Sequence, residues 1–426
     1  MSFRTKFALV MLSAGIAVYG FVGSLYSSSA QQPINDPGAQ LRIFENVLQH
    51  IQNDYVDEPN MDKVRSGAMR GLANGLDPYS TYLTADQVRD YSTANKSNAV
   101  GIGAELSQVA AYLYVVAPVK GSPADLAGLK AGDVIEYIDS KATRDISLYD
   151  AKQLLNGAPG SEVKLRVLRA NTRPNTISVK RGDFKVPAAE SKMEANRTGV
   201  LRINSLADGE SADVRARLQD LVKQGAQKVV LDLRGVAGGS ITEAVSVANL
   251  FIKDGALAQT IGREGKSLKT FSAEEKGFVF GGPMVVLIDT GTAGASEVIA
   301  AAVTERNRGD LVGERSFGAG TEQQLFKLRD GDGLLLTTVK WASPTGKPFL
   351  GEDRTKSGLE PTVKVAKPDS PDTTDPDKIG NPDEEGTPPT PGDKREVTPE
   401  TKSAPPAEDV QMKKALEILK DKVAGK

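Results

Sequence analysis

The residues that could do chemistry gather in one stretch, 284–323. Met284-Val-Val-Leu-Ile-Asp289 is an apolar run that reads as a buried strand. Thr290-Gly-Thr-Ala-Gly-Ala295 is a turn of small residues, and Ser296-Glu-Val-Ile-Ala-Ala-Ala-Val303 opens a helix directly after it. A strand–turn–helix junction aims free backbone N–H groups and one side chain at a helix N-terminus. Hydrolases that work by acyl transfer place a nucleophile and an oxyanion hole there. The hydroxyl at this junction is Ser296. Gly313-Glu-Arg-Ser-Phe-Gly-Ala-Gly-Thr-Glu-Gln323 follows, so Glu297, Glu314, Glu322 and Gln323 lie near it in sequence, with Lys327 and Lys340 as the nearest candidate bases. A carboxylate pair could do general acid–base work. The plainer role for Ser296 is a hydrogen bond within the first helical turn.

Several chemistries are excluded outright. The 426 residues contain no cysteine, which removes a thiol nucleophile, a disulfide framework and thiolate-bound zinc. The one histidine, His50, would have to serve any Ser-His-Asp triad, and it rules out a His-rich metal site. It sits beside the apolar stripe Phe44, Val47, Leu48, Ile51, Tyr55 of a predicted helix, facing sideways or outward. The net charge is −2, with no basic footprint for nucleic acid. No cofactor and no metal are expected.

Around the candidate site the chain divides into six segments. Residues 1–30 hold Arg4 and Lys6, an uncharged run over 7–26, and Ser28 and Ala30 in small-x-small spacing. This pattern predicts export to the periplasm by a cleaved signal or a retained membrane anchor. Residues 31–97 read as helical. Residues 98–183 alternate as short strands around Ser122-Pro-Ala-Asp-Leu-Ala-Gly128 and Gly132-Asp-Val-Ile135. Residues 184–366 alternate apolar strands with helices, the pattern of an α/β layer with a parallel sheet. Residues 367–406 carry 10 of the 23 prolines, 10 acids and 5 bases, a composition that predicts disorder. Residues 407–426 return to helical spacing at Met412, Leu416, Leu419 and Val423, a face that could dock on the core or on a partner.

The segment 98–183 closely resembles a PDZ domain of the bacterial protease type, on the Ser122-Pro-Ala and Gly132-Asp-Val-Ile phrases. Such domains add a peptide's C-terminus as an extra strand and hold its carboxylate on backbone N–H groups. The resemblance puts that loop at Gly101, Ile102, Gly103 and Ala104; a mere hairpin bend is the plainer role for these glycines. Over residues 40–365 the chain resembles the carboxyl-terminal processing peptidases (tail-specific proteases). The phrases that carry this are Leu76-Asp-Pro-Tyr-Ser-Thr-Tyr-Leu83, Asp232-Leu-Arg-Gly-Val-Ala-Gly-Gly239, Gly291-Thr-Ala-Gly-Ala-Ser-Glu297, the 313–323 phrase, Thr337-Thr-Val-Lys340 and Gly358-Leu-Glu-Pro361. The fold implied is multidomain α/β: a helical N-terminal part, a β-rich PDZ unit and a core like the crotonase/ClpP spiral.

The family mechanism is a Ser-Lys dyad oriented by a glutamine. By resemblance, the oxyanion donors fall at the Gly238-Gly239 turn and Ala295. Here the chain departs from its relatives. The family nucleophile position is Gly294 and the family lysine position is Ala319, and the interval 319 − 294 = 25 matches the family pair. Gln323 is retained, and so is the second serine of the motif, Ser296. The resemblance also gives Lys340 a family counterpart that is not the base. Two readings stay open. In one, a chemically disabled relative binds protein C-termini as an adaptor, decoy or regulator, with oligomer or adaptor contacts through its helical ends. In the other, a working serine endopeptidase uses a rearranged site such as Ser296. Deliberate removal of the dyad to trap substrate would leave the same sequence.

Overall fold

The computed structural model describes residues 37–93, 100–109, 111–144, 146–170, 172–367 and 408–421. The signal-like segment and nearly all of the Pro/acidic stretch lie outside these residues. Among the described residues, no helix is long and apolar enough to cross a membrane. The chain forms two compact units, Met1–Ala68 and Met69–Lys426. The first contains α1 (Pro37–Asp54), and α2 (Met61–Asn74) runs across the division.

The second unit opens with a turn into β1 (Thr81–Leu83) and α3 (Ala85–Thr93). The turn is held by Asp77, which accepts from the N–H groups of Tyr79 (2.8 Å) and Ser80 (2.9 Å). Thr84 and Gln87 cap α3 reciprocally, as the Thr-x-x-Gln spacing implies.

The PDZ unit follows: β2 (Ala104–Val109), β3 (Tyr112–Pro118), α4 (Pro123–Leu126), β4 (Val134–Ile138), β5 (Lys141–Ala142), α5 (Leu148–Leu155), β6 (Glu162–Leu168) and β7 (Asn175–Lys180). Its strands order as β2-β3-β4-β6-β7, all antiparallel, with β5 beside β4. Ser122 caps α4 and Ser147 caps α5 through their hydroxyls. Ile102, Leu113, Val115, Ile135, Leu165 and Val179 fill the core beneath. β2 forms one edge of this sheet, and α5 lies alongside it.

The peptidase-like core is built on a six-stranded sheet. Its strands are β8 (Glu190–Glu194), β9 (Thr198–Arg202), β10 (Lys228–Asp232), β13 (Met284–Ile288), β14 (Gly309–Gly313) and β17 (Val363–Lys364), in the order β17-β14-β13-β10-β9-β8. All pairs are parallel except β8 with β9. Continuous apolar runs in β10 and β13 are what a sheet covered on both faces requires. On one face Leu231, Val286 and Ile288 meet α6 (Glu210–Lys223), α7 (Ile241–Ala248) and α8 (Ala295–Glu305). On the other, Val230, Val285, Leu287 and Val312 meet Ala415 and Leu419 of α9 (Val410–Asp421).

The C-terminal helix therefore docks on the core of its own chain. Its buried positions are Gln411, Ala415 and Leu419, with Met412 and Leu416 only half-buried at the edge; Val423 lies outside the described residues. A second, antiparallel sheet holds β1, β16 (Gly333–Ala342), β11 (Ala256–Ile261) and β12 (Ser267–Ser272), with β15 (Thr321–Lys327) on β16. β15 and β16 thus belong to a sheet separate from the parallel layer, although the 184–366 pattern in sequence does not distinguish them from it.

Candidate active site

The turn after β13 is fixed against the loop after β10. Asp289 accepts from Gly235 N–H (2.8 Å) and Gly291 N–H (3.0 Å), and Thr292 Oγ1 donates to Leu233 O (3.1 Å). Two further bonds continue the join, Ala293 N–H to Val236 O (3.1 Å) and Ala295 N–H to Gly238 O (3.3 Å). Small residues are needed because the loops touch: a Cβ on Gly291 would lie 3.0 Å from Gly235 Cα.

Gly294 is the N-cap of α8, with φ 64° and ψ −114°. This is a conformation that L side chains rarely adopt and that functional turns store as strain. A Cβ there would meet only Gly238, at 3.5–3.8 Å, which is ordinary contact. A single Cβ therefore fits beside Gly238, and the backbone is already bent as for a nucleophile elbow.

Glu297 organises both halves of the site. Its buried carboxylate accepts from Gly294 N–H (2.9 Å) and Ala319 N–H (2.8 Å) on one oxygen. The other accepts from Gly318 N–H (2.8 Å) and Ser316 Oγ (2.5 Å). Gly294 and Ala319, the residues expected at the family nucleophile and lysine positions, are thus tied to one atom. Burial pushes the Glu297 carboxyl above the usual carboxylate range, and the four hydrogen bonds pull it back. Arg354 closes the loop from below by donating to the carbonyls of Ser316 and Phe317 while its guanidinium lies 4.6 Å from the Phe317 ring.

The remaining candidates are placed as follows. Ser296 is fully buried, and its hydroxyl lies 2.6 Å from Val236 O and 3.0 Å from Ala293 O. Gln323 Nε2 donates to Thr321 Oγ1 (2.7 Å) and Thr337 Oγ1 (3.2 Å), and Thr337 in turn donates to Asp77 (3.0 Å). Lys340 Nζ is spent on Leu350 O (3.1 Å), and Glu322 accepts from the Trp341 indole (2.9 Å). Glu314 accepts from Lys367 N–H, and Lys327 is exposed. His50 is exposed on α1 and pairs with Asp54 (2.6 Å). The amides of Gly238 and Gly239 donate to no described residue, whereas that of Ala295 is engaged with Gly238 O. Among the described residues, no group of His, Cys, Asp and Glu could hold a metal ion.

Two features were not visible in sequence. The PDZ unit leans on the site: Tyr114, Val116 and Val134 share an apolar cluster with Ala293, Phe317 and Ala319. Glu105 of β2 brings Oε2 within 3.4 Å of where a Gly238 Cβ would be, and the same carboxylate pairs with Lys152 of α5 at 3.4 Å. The second feature is a link from the C-terminal helix to the loop that carries Gly238 and Gly239. Arg234 binds Asp232 (2.8 Å) from within that loop and Asp409 (2.8 Å) and Gln411 (3.1 Å) at the start of α9.

In the PDZ loop, Ile102 is buried, and Gly103 has φ 74° with its carbonyl held by Ser122 Oγ (2.7 Å) and Val119 N–H (2.8 Å). The amides of Ile102 and Gly103 donate to no described residue. Gly101 packs against Asn156, and Ala104 begins β2.

A PDZ unit packed on an α/β core, with a strand–turn–helix junction facing a glycine turn, defines a PDZ-bearing serine-peptidase architecture. The comparisons agree. Residues 197–365 match the model of peptidase family S41, and residues 114–169 match that of the PDZ domain. The chain is 31% identical over 366 residues to the carboxy-terminal processing protease CtpA of Bacillus subtilis (strain 168), covering 85% of this chain and 77% of the relative. It is 30% identical to CtpB of the same organism, covering 84% and 76%. Among solved structures, the photosystem II D1 C-terminal processing protease aligns with a TM-score of 0.64 at 26% identity, over 76% of this chain and 86% of that one. The chain belongs to the carboxy-terminal processing proteases of peptidase family S41.

Proposed function

We propose that this chain is an exported member of its family that captures the C-terminal tails of proteins without cleaving them. The observation that carries this reading is the pair of residues tied to Glu297: Gly294 offers no nucleophile and Ala319 cannot take a proton. The alternative nucleophile gives little support to turnover. Ser296 has one hydroxyl proton, already committed to a backbone carbonyl, and among the described residues no lysine, histidine or carboxylate side chain is bonded to it. Removal of one member of a catalytic unit costs on the order of a million-fold in turnover, and removal of both costs little more.

Binding needs none of these groups. The free edge of β2, the adjacent α5 and the loop Gly101, Ile102, Gly103 and Ala104 supply a strand-addition groove ending in backbone donors. Gly238 and Gly239 supply a second set of donors in the core. Export to the periplasm is part of the proposal and rests on residues 1–30, whether the segment is cleaved or retained as an anchor. Self-association through the helical ends is also part of it.

The test is incubation with an unfolded protein ending in apolar residues, and with the same protein lacking those residues. The unaltered chain is expected to bind the first and leave it intact. Cleavage abolished by Ser296→Ala would overturn the reading in favour of a rearranged peptidase. Cleavage only in the Gly294→Ser/Ala319→Lys double variant would support it.

A further inference from the structure

We infer that a cavity between the PDZ unit and the core is a further binding site, one that takes a singly charged α-amino- or α-amidocarboxylate. A free amino acid and the last residue of a peptide share that chemistry. The cavity measures about 310 Å³. One wall is made where the chain leaves the carboxyl ends of the parallel strands: Arg202 and Asn204 at β9, Arg234 after β10, Asp289 after β13 and Lys367 after β17. That end of a parallel sheet is where α/β proteins place small ligands. Here the parallel strands lie side by side in chain order, so no crevice opens between their own connections. The PDZ unit supplies the missing wall, with Pro118 from the end of β3 and Lys120, Asp125 and Lys130 around α4.

The charges of the cavity set the charge of its ligand. Lys120, Lys130, Arg202, Arg234 and Lys367 line it, with the carboxylates of Asp125 and Asp289. Asp232 stands behind Arg202 (2.7 Å) and Arg234 (2.8 Å), and Asp409 also pairs with Arg234 (2.8 Å). Five cations against four carboxylates leave one positive charge in excess, which suits a monocarboxylate and not a phosphate dianion. Arg202 spends its Nη atoms on Asp232 (2.7 Å) and Arg234 O (2.9 Å), while its Nε and Lys130 Nζ bond to no described residue. Asn204 adds a second requirement. It is buried, and its Nδ2 donates to Ala188 O (2.9 Å) and Glu190 Oε1 (3.2 Å), two acceptors that fix which way the amide faces. Its Oδ1 is buried and bonds to no described group. Such an acceptor is costly unless a ligand donates to it. A carboxylate with an N–H on the neighbouring carbon brings both complements, oxygens for Lys130 and Arg202 and a donor for Asn204.

Calorimetric titration of the full chain with N-acetylglycine should show saturable binding with a dissociation constant on the order of 1 mM, the range open to a ligand of that size. Levulinate has CH2 in place of the N–H and is otherwise the same shape, so it should bind about two- to tenfold more weakly. Lys130→Glu should weaken N-acetylglycine by about threefold or more, and Lys130→Arg should leave it unchanged. Both variants should unfold as the parent does, because Lys130 is exposed. Bound N-acetylglycine should slow amide exchange in residues 202–204 and 234–236. Alanine separates the two sources: tighter binding than N-acetylglycine marks the free amino acid, and weaker binding marks a peptide end.

Absence of binding, equal affinity for N-acetylglycine and levulinate, equally tight binding of inorganic phosphate, or indifference to Lys130→Glu would each overturn the inference. So would protection confined to residues 101–104, which would put the probe on the PDZ loop instead. The cavity shares no residue with that loop or with Gly238 and Gly239. Failure at this site and failure of tail capture are therefore separate results.

Discussion

Replacing Gly294 by alanine asks whether the turn still stores the strain of a nucleophile elbow. At a glycine whose backbone suits any residue, Gly→Ala stabilises by about 0.4–1 kcal/mol through the unfolded chain. Gly294 has φ 64° and ψ −114°, where a side chain costs about 1–3 kcal/mol. Steric contact adds nothing, since the new Cβ would meet Gly238 no closer than 3.5 Å. The expected result is therefore a destabilisation of about 1–3 kcal/mol in Gly294→Ala, and the same in Gly294→Ser, because the cost is in the backbone and not in the side chain. Equilibrium urea unfolding followed by the single tryptophan, Trp341, measures it with unchanged m-values. The sign decides the matter. If Gly294→Ala is neutral or stabilising, the turn is relaxed and the argument for an inherited elbow fails. If Ser costs much more than Ala, the space beside Gly238 that accepts a Cβ does not accept a hydroxyl.

Two further outcomes follow from hydrogen bonding and charge. Glu297→Gln keeps the shape of the hub but turns an NH2 group toward two of its four donors in either amide orientation. At about 1–3 kcal/mol per unsatisfied buried donor, offset by the relief of a buried charge, unfolding should shift by about 2–4 kcal/mol. Faster amide exchange at Gly318 and Ala319 should accompany it, and a variant within about 0.5 kcal/mol of the parent would refute the hub. Burial alone would raise the Asp409 carboxyl, but hydrogen bonds from Arg234 and Met412 N–H, with the attraction of Arg234 and Lys367, hold it below the usual range. Asp232 is depressed in the same way by Arg234 and Arg202 against its burial. Folded-state values below the unfolded ones mean that this anchorage is present above the unfolded carboxylate value and is lost as pH falls through the lowered one. Exchange protection of the α9 amides should therefore fall away below about pH 4. Arg234→Met should move that loss to higher pH, and an α9 equally protected at acid pH in both proteins would exclude the coupling.

How much of this was readable from sequence depends on where each constraint resides. The 291–297 and 232–239 phrases were legible because their glycines answer local needs, a left-handed backbone at Gly294 and close loop contact at Gly239. Strand β12 was not, since Ser267-Leu-Lys-Thr-Phe-Ser272 is exposed at nearly every position and shows no alternation to read. The sheet to which β15 and β16 belong was hidden for another reason: their partners β1 and β11 are distant in sequence. In α9 the apolar period gave the helix but not its orientation. The rotation that buries Gln411 is set by its bonds to Val365 O (2.8 Å) and Arg234, polar contacts with no periodic signature.

The same distinction bears on the proposed loss of catalysis. The reacting side chains of a Ser-Lys site contribute little to the fold, and the strained turn beneath a nucleophile is a cost that glycine reduces. Positions 294 and 319 can therefore change without loss of structure. Glu297 cannot, because its carboxylate joins the 294 turn to the 316–319 loop, and neither can Asp289, whose bonds join that turn to the 233–239 loop. In the proposed reading, the shape of the site is held by residues that take no part in a reaction. That shape, together with the Gly238 and Gly239 amides that donate to no described residue and the edge position of β2, is what a tail-binding protein would need to keep.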